Sequence, residues 1–91
     1  MITLIQQVEI QNLKGLHARA TSTFVKLASS FESDIQITNK DGLTVSGKSI
    51  MDILMLAVPL GEKITLTITG TDADNAMKEL VNLINNRFGE D

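Results

Sequence analysis

Hydrophobic and polar residues alternate along several short stretches of the chain, and this period of two is typical of β-strands with one buried face. The clearest stretch is residues 64–68, where two isoleucines and a leucine alternate with threonines. A first strand is predicted near residue 2, because apolar residues there occupy even positions: Ile2, Leu4, Val8 and Ile10. Both strands therefore have one apolar and one polar face.

Two further strands are predicted in the middle of the chain. Ile35 and Ile37 alternate with polar residues, and Leu43 and Val45 form a second, shorter alternation. The intervening residues 39–42, Asn-Lys-Asp-Gly, are typical of a hairpin turn. This stretch is therefore expected to form a β-hairpin.

Apolar spacings of three and four residues predict helices. The first helix starts at Ala18, and its buried stripe consists of Ala20, Phe24, Leu27, Ala28 and Phe31. The second opens at residues 47–49, runs for about two turns and is ended by Pro59 and Gly61. The stripe of the third and longest helix consists of Ala73, Ala76, Met77, Leu80, Val81, Ile84 and Phe88. We expect Thr71 and Asp74 to form a capping box at its start and Gly89 to end it.

The predicted order of elements is β-α-β-β-α-β-α. Since each strand has only one apolar face, helices can cover the sheet on one side only. We therefore expect an α+β fold, a two-layer open-faced β-sandwich with all helices on the same face. The length suits a single domain, residues 1–91, without repeats or linkers.

Composition and charge exclude several classes of function. The chain has no cysteine and one histidine, so we expect neither disulfides nor a metal site. A net charge of −3 and an aromatic content of 3%, all of it Phe, argue against nucleic-acid binding. The sequence shows no signal peptide and no apolar run long enough to span a membrane, so we expect no membrane insertion.

The single histidine, His17, lies where the first predicted helix begins. None of residues 14–17 is a preferred helix cap, so the first backbone N–H groups and the positive end of the helix dipole would form an anion site. Arg19 adds a guanidinium suited to phosphate. The dipole and the arginine would both favour a neutral, nucleophilic imidazole, and they would stabilise an attached phosphoryl group. The alternative is that His17 is a solvated residue and Arg19 an ordinary surface charge.

Three stretches carry a resemblance to a known family: GLHARA at residues 15–20, FVKLASSF at 24–31 and GKSIMDILMLAVPLG at 47–61. Followed by a threonine-rich strand and a final helix, they resemble the histidine-containing phosphocarrier protein (HPr) family of the phosphoenolpyruvate-dependent phosphotransferase system. The resemblance runs through nearly the whole chain. It implies an antiparallel sheet of four strands in the order 1-4-2-3, with three helices on one face.

The resemblance also implies a chemistry for individual residues. His17 would accept a phosphoryl group at Nδ1 from Enzyme I and pass it to EIIA-type proteins. Arg19 would neutralise the phosphoryl charge, and Ser49 would be the serine that HPr kinase/phosphorylase modifies in many bacteria. The protein would be a cytoplasmic, monomeric carrier that needs no cofactor, and it would not be an enzyme because each cycle modifies it.

One position departs from the usual pattern of the family. Proline commonly follows the arginine, whereas this chain has Ala20. Alanine is a good helix former and keeps an N–H donor, so we expect the fold and the phosphorylation to survive. The change puts partner preference in question.

The second predicted helix is apolar around most of its circumference, although a helix on a one-sided sandwich can bury only about half of it. Ile53 and Leu56 would serve the core, together with Ile50 or Leu60, and part of the set Met51, Leu54 and Met55 would remain exposed. Beside His17 the exposed part would form an apolar patch with a basic rim of Lys14, Arg19, Lys26 and Lys48. The residues expected to bind partners are Ala20, Lys26, Lys48, Ile50, Met51 and Leu54. The alternatives are a well-covered helix and a Ser49 that, with Asp52, only caps it.

Two other functions stay open. A nitrogen-branch or regulatory HPr-like module would act mainly by binding other proteins in a phosphorylation-dependent way. A small ligand-binding α+β domain would need a concave pocket with converging polar groups, and no residues of the sequence predict one.

Overall fold

The chain forms the predicted strands and helices in the predicted order. A computed structural model describes residues 1–90, so the last residue of the predicted 1–91 domain, Asp91, lies outside the described part. The strands are β1 (Ile2–Glu9), β2 (Asp34–Thr38), β3 (Thr44–Ser46) and β4 (Lys63–Gly70). The α-helices are α1 (Ala18–Ala28), α2 (Ile50–Met55) and α3 (Ala73–Asn85), and a 3₁₀ turn, Arg87–Gly89, follows. None of the helices within residues 1–90 is both long and apolar enough to cross a membrane.

The four strands form one antiparallel sheet in the order β1-β4-β2-β3, as the resemblance implied. β4 lies inside the sheet and pairs with β1 over its full length, from Ile2 opposite Gly70 to Glu9 opposite Lys63. On its other side β4 pairs with β2, and the β2–β3 hairpin completes the sheet. This topology brings the two ends of the chain's first strand next to the loops that flank β4.

The core lies between the apolar face of the sheet and the helices. Ile64, Leu66 and Ile68 of β4 are fully buried, whereas the threonines between them are partly exposed. Phe24 of α1 and Leu80 of α3 are buried against this face. The alternation in the sequence therefore marks the covered and open faces correctly, and the predicted two-layer architecture is confirmed.

α2 has close to the predicted two turns, but the expected end at Pro59 and Gly61 is wrong. The helix ends at Met55 because Ala57 takes the left-handed region, at φ 51°, and turns the chain before the proline is reached. Its core contribution comes from Ile53 and from Leu56, which caps the helix. Neither Ile50 nor Leu60 joins them, since both are exposed.

α3 also ends before the predicted Gly89. The helix stops at Asn85, and Arg87 and Phe88 both have a positive φ, 57° and 56°. Phe88 still packs into the core, as its place in the apolar stripe predicted, but from a turn and not from the helix. This turn reverses the chain and brings Glu90 to the beginning of α1.

The predicted capping box of Thr71 and Asp74 is absent, because Asp72 is the N-cap residue of α3. Its carboxylate accepts hydrogen bonds from the backbone N–H groups of Glu32 and Ser33, at 2.9 and 3.0 Å, and from the Ser33 hydroxyl. These bonds, that of the Ser33 hydroxyl foremost, lower the pKa of Asp72. Asp72 therefore ties the start of α3 to the loop between α1 and β2.

Replacing Asp72 by Asn should lower the free energy of unfolding at neutral pH. It should also make this free energy fall less steeply as the pH is lowered. A carboxylate with a lowered folded-state pKa stabilises the fold above its unfolded pKa, and this contribution is lost as the pH falls through the folded value. Urea unfolding between about pH 7 and pH 3 measures both effects. Asp41→Asn, in the exposed β2–β3 turn, is the control. Identical acid dependence in wild type and Asp72→Asn would contradict the assignment.

Candidate functional site

The loop between β1 and α1 is held against the segment that follows α2. The backbone N–H of Leu16 donates to the Val58 carbonyl at 2.9 Å, and the N–H of Gly15 donates to the Asn12 carbonyl at 3.1 Å. Gly15 has φ 65°, and a Cβ atom there would collide with the Val58 carbonyl and with Pro59. Only glycine satisfies both constraints, so this close approach positions the residues that follow.

His17 is the N-cap residue of α1, which confirms the predicted helix start at Ala18. No side chain caps the first N–H groups, also as predicted. The His17 carbonyl accepts the first helical bond from Thr21 N–H at 2.9 Å, and the buried Thr21 hydroxyl donates to the Leu16 carbonyl at 3.1 Å. The histidine is thus fixed by its backbone at the positive end of the helix dipole.

The His17 ring contacts a carboxylate that the sequence analysis did not select. Nε2 lies 3.0 Å from each carboxylate oxygen of Glu90. The fully buried Asn12 donates from Nδ2 to Glu90 Oε1 at 3.0 Å and to the Gly15 carbonyl at 2.7 Å. We call these three side chains the His17–Glu90–Asn12 cluster. Of the two ionisable side chains the histidine is the more accessible, with 27% of its side chain exposed against 14% for Glu90.

The carboxylate in this cluster determines which nitrogen of the neutral imidazole carries the proton. The pKa of Glu90 is lowered, first by its hydrogen bond to His17 and further by Asn12 and by the positive charge of Arg19. An ionised carboxylate can only accept, so the proton it shares with His17 belongs to Nε2. Nδ1 has no hydrogen-bond partner among residues 1–90. The cluster therefore leaves Nδ1 as the nitrogen with a free lone pair.

Glu90 changes the electrostatic prediction made from the sequence. That prediction considered the helix dipole and Arg19, both of which disfavour positive charge on the ring. The carboxylate at 3.0 Å from Nε2 acts in the opposite direction and stabilises positive charge there. Arg19 itself is exposed on the first turn of α1, so its guanidinium is accessible to a ligand of the site.

The residues predicted to bind partners have different environments. Ile50 and Met51 are exposed on α2, Leu54 is half-buried, and Lys26 is exposed on α1. Met55, at 79% exposure, extends the apolar surface. We call Ile50, Met51 and Met55 the α2 apolar patch.

Two of these predictions need correction. Ala20 is fully buried under α1, so its side chain has no surface to offer a partner. Lys48 does not extend freely into a basic rim, because its Nζ donates to the Phe31 carbonyl at 2.7 Å. Both residues therefore support the local structure around the helices.

Ser49 is the N-cap residue of α2, as the structural alternative predicted. Its hydroxyl accepts the Asp52 backbone N–H at 3.4 Å. The same hydroxyl is half-buried at the start of a helix, where a phosphate would be favoured by the helix dipole. A modification of Ser49 stays a prediction.

Asn12 and Glu90 are the site residues that sequence reasoning missed. Asn12 lies between Gln11 and Leu13 in the loop after the first strand, and Glu90 lies beyond the last periodic stripe. Glu90 is 73 positions from His17 and 78 positions from Asn12 along the chain. No local pattern in the sequence signals contacts between residues so far apart. Within residues 1–90, no three His, Cys, Asp or Glu side chains converge as a metal site would require.

Comparisons with known proteins agree with the fold and the motifs. Residues 4–86 match the family model described as the PTS HPr component phosphorylation site. The chain belongs to the HPr family. It is 47% identical to the phosphocarrier protein HPr of Neisseria meningitidis serogroup A, over 96% of this chain and 97% of that one.

Solved structures give the same result. The crystal structure of HPr from Thermoanaerobacter tengcongensis is similar at a TM-score of 0.92 and 43% identity, covering 97% of this chain and 98% of that one. The catabolite repression protein Crh of Bacillus subtilis is similar at a TM-score of 0.74 and 38% identity, covering 90% and 93%. Crh was crystallised as a dimer with a swapped domain. The HPr fold thus occurs in carriers and in a protein named for catabolite repression.

Replacing Gly15 by Ala should destabilise the protein by about 3 kcal/mol or more, since strain at positive φ and the collision with Val58 and Pro59 add together. Gly61→Ala is the matched control, because Gly61 has φ 90° but nothing within 4 Å of an added Cβ. It should cost only about 1–2 kcal/mol. Urea unfolding measures both values, and equal losses would show that the close approach at Gly15 is unimportant.

Proposed function

We propose that this chain accepts a phosphoryl group on His17 from Enzyme I of the phosphotransferase system and passes it to EIIA-type proteins. The observation that carries the proposal is the position of His17 at the uncapped start of α1, with Nε2 bound to Glu90 and Nδ1 unpartnered among residues 1–90. Nδ1 is therefore available for nucleophilic attack on phosphorus. Membership in a family of phosphocarrier proteins supports the same chemistry.

Positive charge that would stabilise a phosphoryl group on His17 is available at the start of α1. The first N–H groups of α1 have no side-chain cap, and the dipole of the helix favours an anion there. Arg19 is exposed in the first turn of the same helix. Phosphoryl transfer depends mainly on positioning and on charge stabilisation, so this arrangement is sufficient without a cofactor.

The proposed protein is a stoichiometric carrier with a covalent phosphohistidine intermediate, and it acts in the cytoplasm as a monomeric single domain. Because the phosphoryl group would be bound covalently to the protein, each cycle of the proposed carrier ends with its transfer to another protein. An acceptor of EIIA type would take the phosphoryl group at the exposed edge of the ring.

We place partner docking on the α2 apolar patch. Ile50, Met51 and Met55 are 39%, 71% and 79% exposed, and α2 packs beside α1, which carries the site. Flexible methionines adapt to partners of different shape, and the exposed Lys26 adds positive charge for steering acidic partners. A transient interface of this kind suits a protein that must bind a donor and an acceptor in turn.

A regulatory role is the second candidate, and the likeness to Crh favours it. In this role the protein would act by binding other proteins after phosphorylation of Ser49 by an HPr kinase/phosphorylase, or of His17 in a nitrogen-branch system. A phosphate at Ser49 would lie on the N-terminus of α2, beside the apolar patch, and would repel an acidic partner. Pull-downs with each phosphorylated form separate this role from a pure carrier, because partners that ignore phosphorylation would contradict it.

His17→Ala should abolish charging while leaving the protein folded. The test is the intact mass after incubation with phosphoenolpyruvate and either sugar-branch or nitrogen-branch Enzyme I. Wild type should gain one acid-labile phosphoryl group, and the faster Enzyme I identifies the branch. His17→Gln is the control for loss of the contact between residue 17 and Glu90, because the glutamine amide can still donate to the carboxylate but cannot be phosphorylated as an imidazole can. A phosphoryl group on the His17→Ala variant would contradict the proposal.

Arg19→Ala should slow phosphoryl transfer by about 10²-fold, because a charged donor next to the phosphoryl oxygens is removed. His17 should remain phosphorylatable at long times. Stopped reactions followed by intact mass give the rate, and Lys78→Ala on the exposed face of α3 serves as the control for loss of one positive charge. An unchanged rate in Arg19→Ala would remove Arg19 from the mechanism.

A further inference from the structure

We propose that Glu90 is a positioning residue for phosphoryl transfer: its carboxylate keeps the proton of His17 on Nε2, directs phosphorus to Nδ1 and stabilises the positive charge that the ring acquires. This inference deepens the proposed function and rests on it for its biological meaning. It concerns a residue outside every motif that marks the family in this sequence.

The contact geometry supports an orienting role. Both carboxylate oxygens lie 3.0 Å from Nε2, so the ring nitrogen faces the centre of the carboxylate. The Glu90 side chain is only 14% exposed, which limits competition from water for the same hydrogen bond. The imidazole ring is therefore held from its Nε2 edge, while Nδ1 has no hydrogen-bond partner among residues 1–90.

Glu90 is itself held in place. Asn12 Nδ2 reaches Glu90 Oε1 at 3.0 Å and the Gly15 carbonyl at 2.7 Å, and both partners are acceptors, so the orientation of the amide is determined. Asn12 is fully buried. The buried Asn12 amide thus orients the Glu90 carboxylate, and the carboxylate orients the imidazole of His17. In enzymes a third group orients a catalytic base in the same way.

The chemical step balances without any proton transfer. The Nδ1 lone pair forms the N–P bond, and the bond between phosphorus and the donor's leaving atom breaks with its electron pair going to that atom. The ring gains one positive charge, and Nε2 keeps its proton. When phosphorus moves on to an acceptor nucleophile, the N–P electron pair returns to Nδ1 and restores the neutral ring. The carboxylate stabilises the cationic stage most strongly, so it assists transfer in both directions.

A small phosphoryl donor tests this role without Enzyme I. Phosphoramidate transfers its phosphoryl group to imidazole nitrogens and releases ammonia. The full-length protein is compared with Glu90→Ala, which removes the acceptor and the charge, and with Glu90→Gln, which keeps an acceptor oxygen and the shape. Glu79→Gln, exposed on α3, is the control for loss of one negative charge.

The two readouts are the phosphorylated nitrogen and the rate. Because the chain has one histidine, ¹⁵N and ³¹P spectra of [¹⁵N]histidine-labelled protein assign both without ambiguity. Wild type and Glu79→Gln should be phosphorylated at Nδ1 and should show a slowly exchanging Nε2 proton. Glu90→Ala should lose that proton signal, form Nε2-phosphohistidine as well, and react at Nδ1 about 10- to 100-fold more slowly. Glu90→Gln should lie between the two.

The outcomes are separable. Unchanged selectivity and rate in folded Glu90→Ala and Glu90→Gln would overturn the inference, as would faster reaction at Nδ1, since the carboxylate would then be an obstacle. Should Glu90→Ala fail to fold, the isosteric Glu90→Gln decides alone. Failure of Enzyme I to charge the wild type would count against the proposed function, but the phosphoramidate result would still decide the role of Glu90.

Discussion

The close approach of the backbone at Gly15 to Val58 and Pro59 is the constraint on which the site depends. It joins the β1–α1 loop to the segment between α2 and β4 through the hydrogen bond from Leu16 to Val58. The backbone of Ile10 is also hydrogen-bonded to Gly61 and Glu62, so the loop and this segment stay paired as far as the β1–β4 part of the sheet. The start of α1 is therefore attached to the rigid part of the molecule, and His17 is placed by backbone geometry and not by side-chain packing.

Three kinds of charge lie near His17: the positive end of the α1 dipole, the guanidinium of Arg19 and the carboxylate of Glu90. The positive end of α1 lies at His17 itself, and the exposed Arg19 stands in the first turn of the same helix. The negative Glu90 lies at Nε2, supported by the buried Asn12. In the proposed transfer, the N-terminus of α1 and Arg19 would stabilise the negative phosphoryl group, and Glu90 would stabilise the positive charge of the ring that carries it.

The surface around the site combines a fixed reaction centre with adaptable contacts. The backbone near His17 is held by hydrogen bonds, whereas the methionines of the α2 apolar patch are exposed and flexible. Ser49 is the N-cap residue of α2, so it lies at the start of the helix that carries the patch. In the proposed regulatory role, a phosphate at Ser49 would add negative charge at the start of α2, beside the apolar patch.

The local patterns of the sequence determined the elements, their order and the covered face of the sheet. The alternation in β4 and the stripes of α1 and α3 repeat over several turns or residue pairs, so their periods are unambiguous. The uncapped helix start at His17 could also be predicted, because it depends only on neighbouring residues. The resemblance supplied the strand order, which no local pattern contains.

Tertiary structure alone decided the remaining features. The ends of α2 and α3 are followed by residues in the left-handed region, Ala57 after α2 and Arg87 with Phe88 after α3, and none of them is the glycine that usually takes this conformation. Ala20 looked available to a partner, but the core buries it. The contact of His17 with Glu90 joins residues 73 positions apart, and it exists only because the turn after α3 reverses toward α1. Sequence periodicity reports on nearest neighbours along an element, and it carries no information on which distant side chains the folded chain brings together.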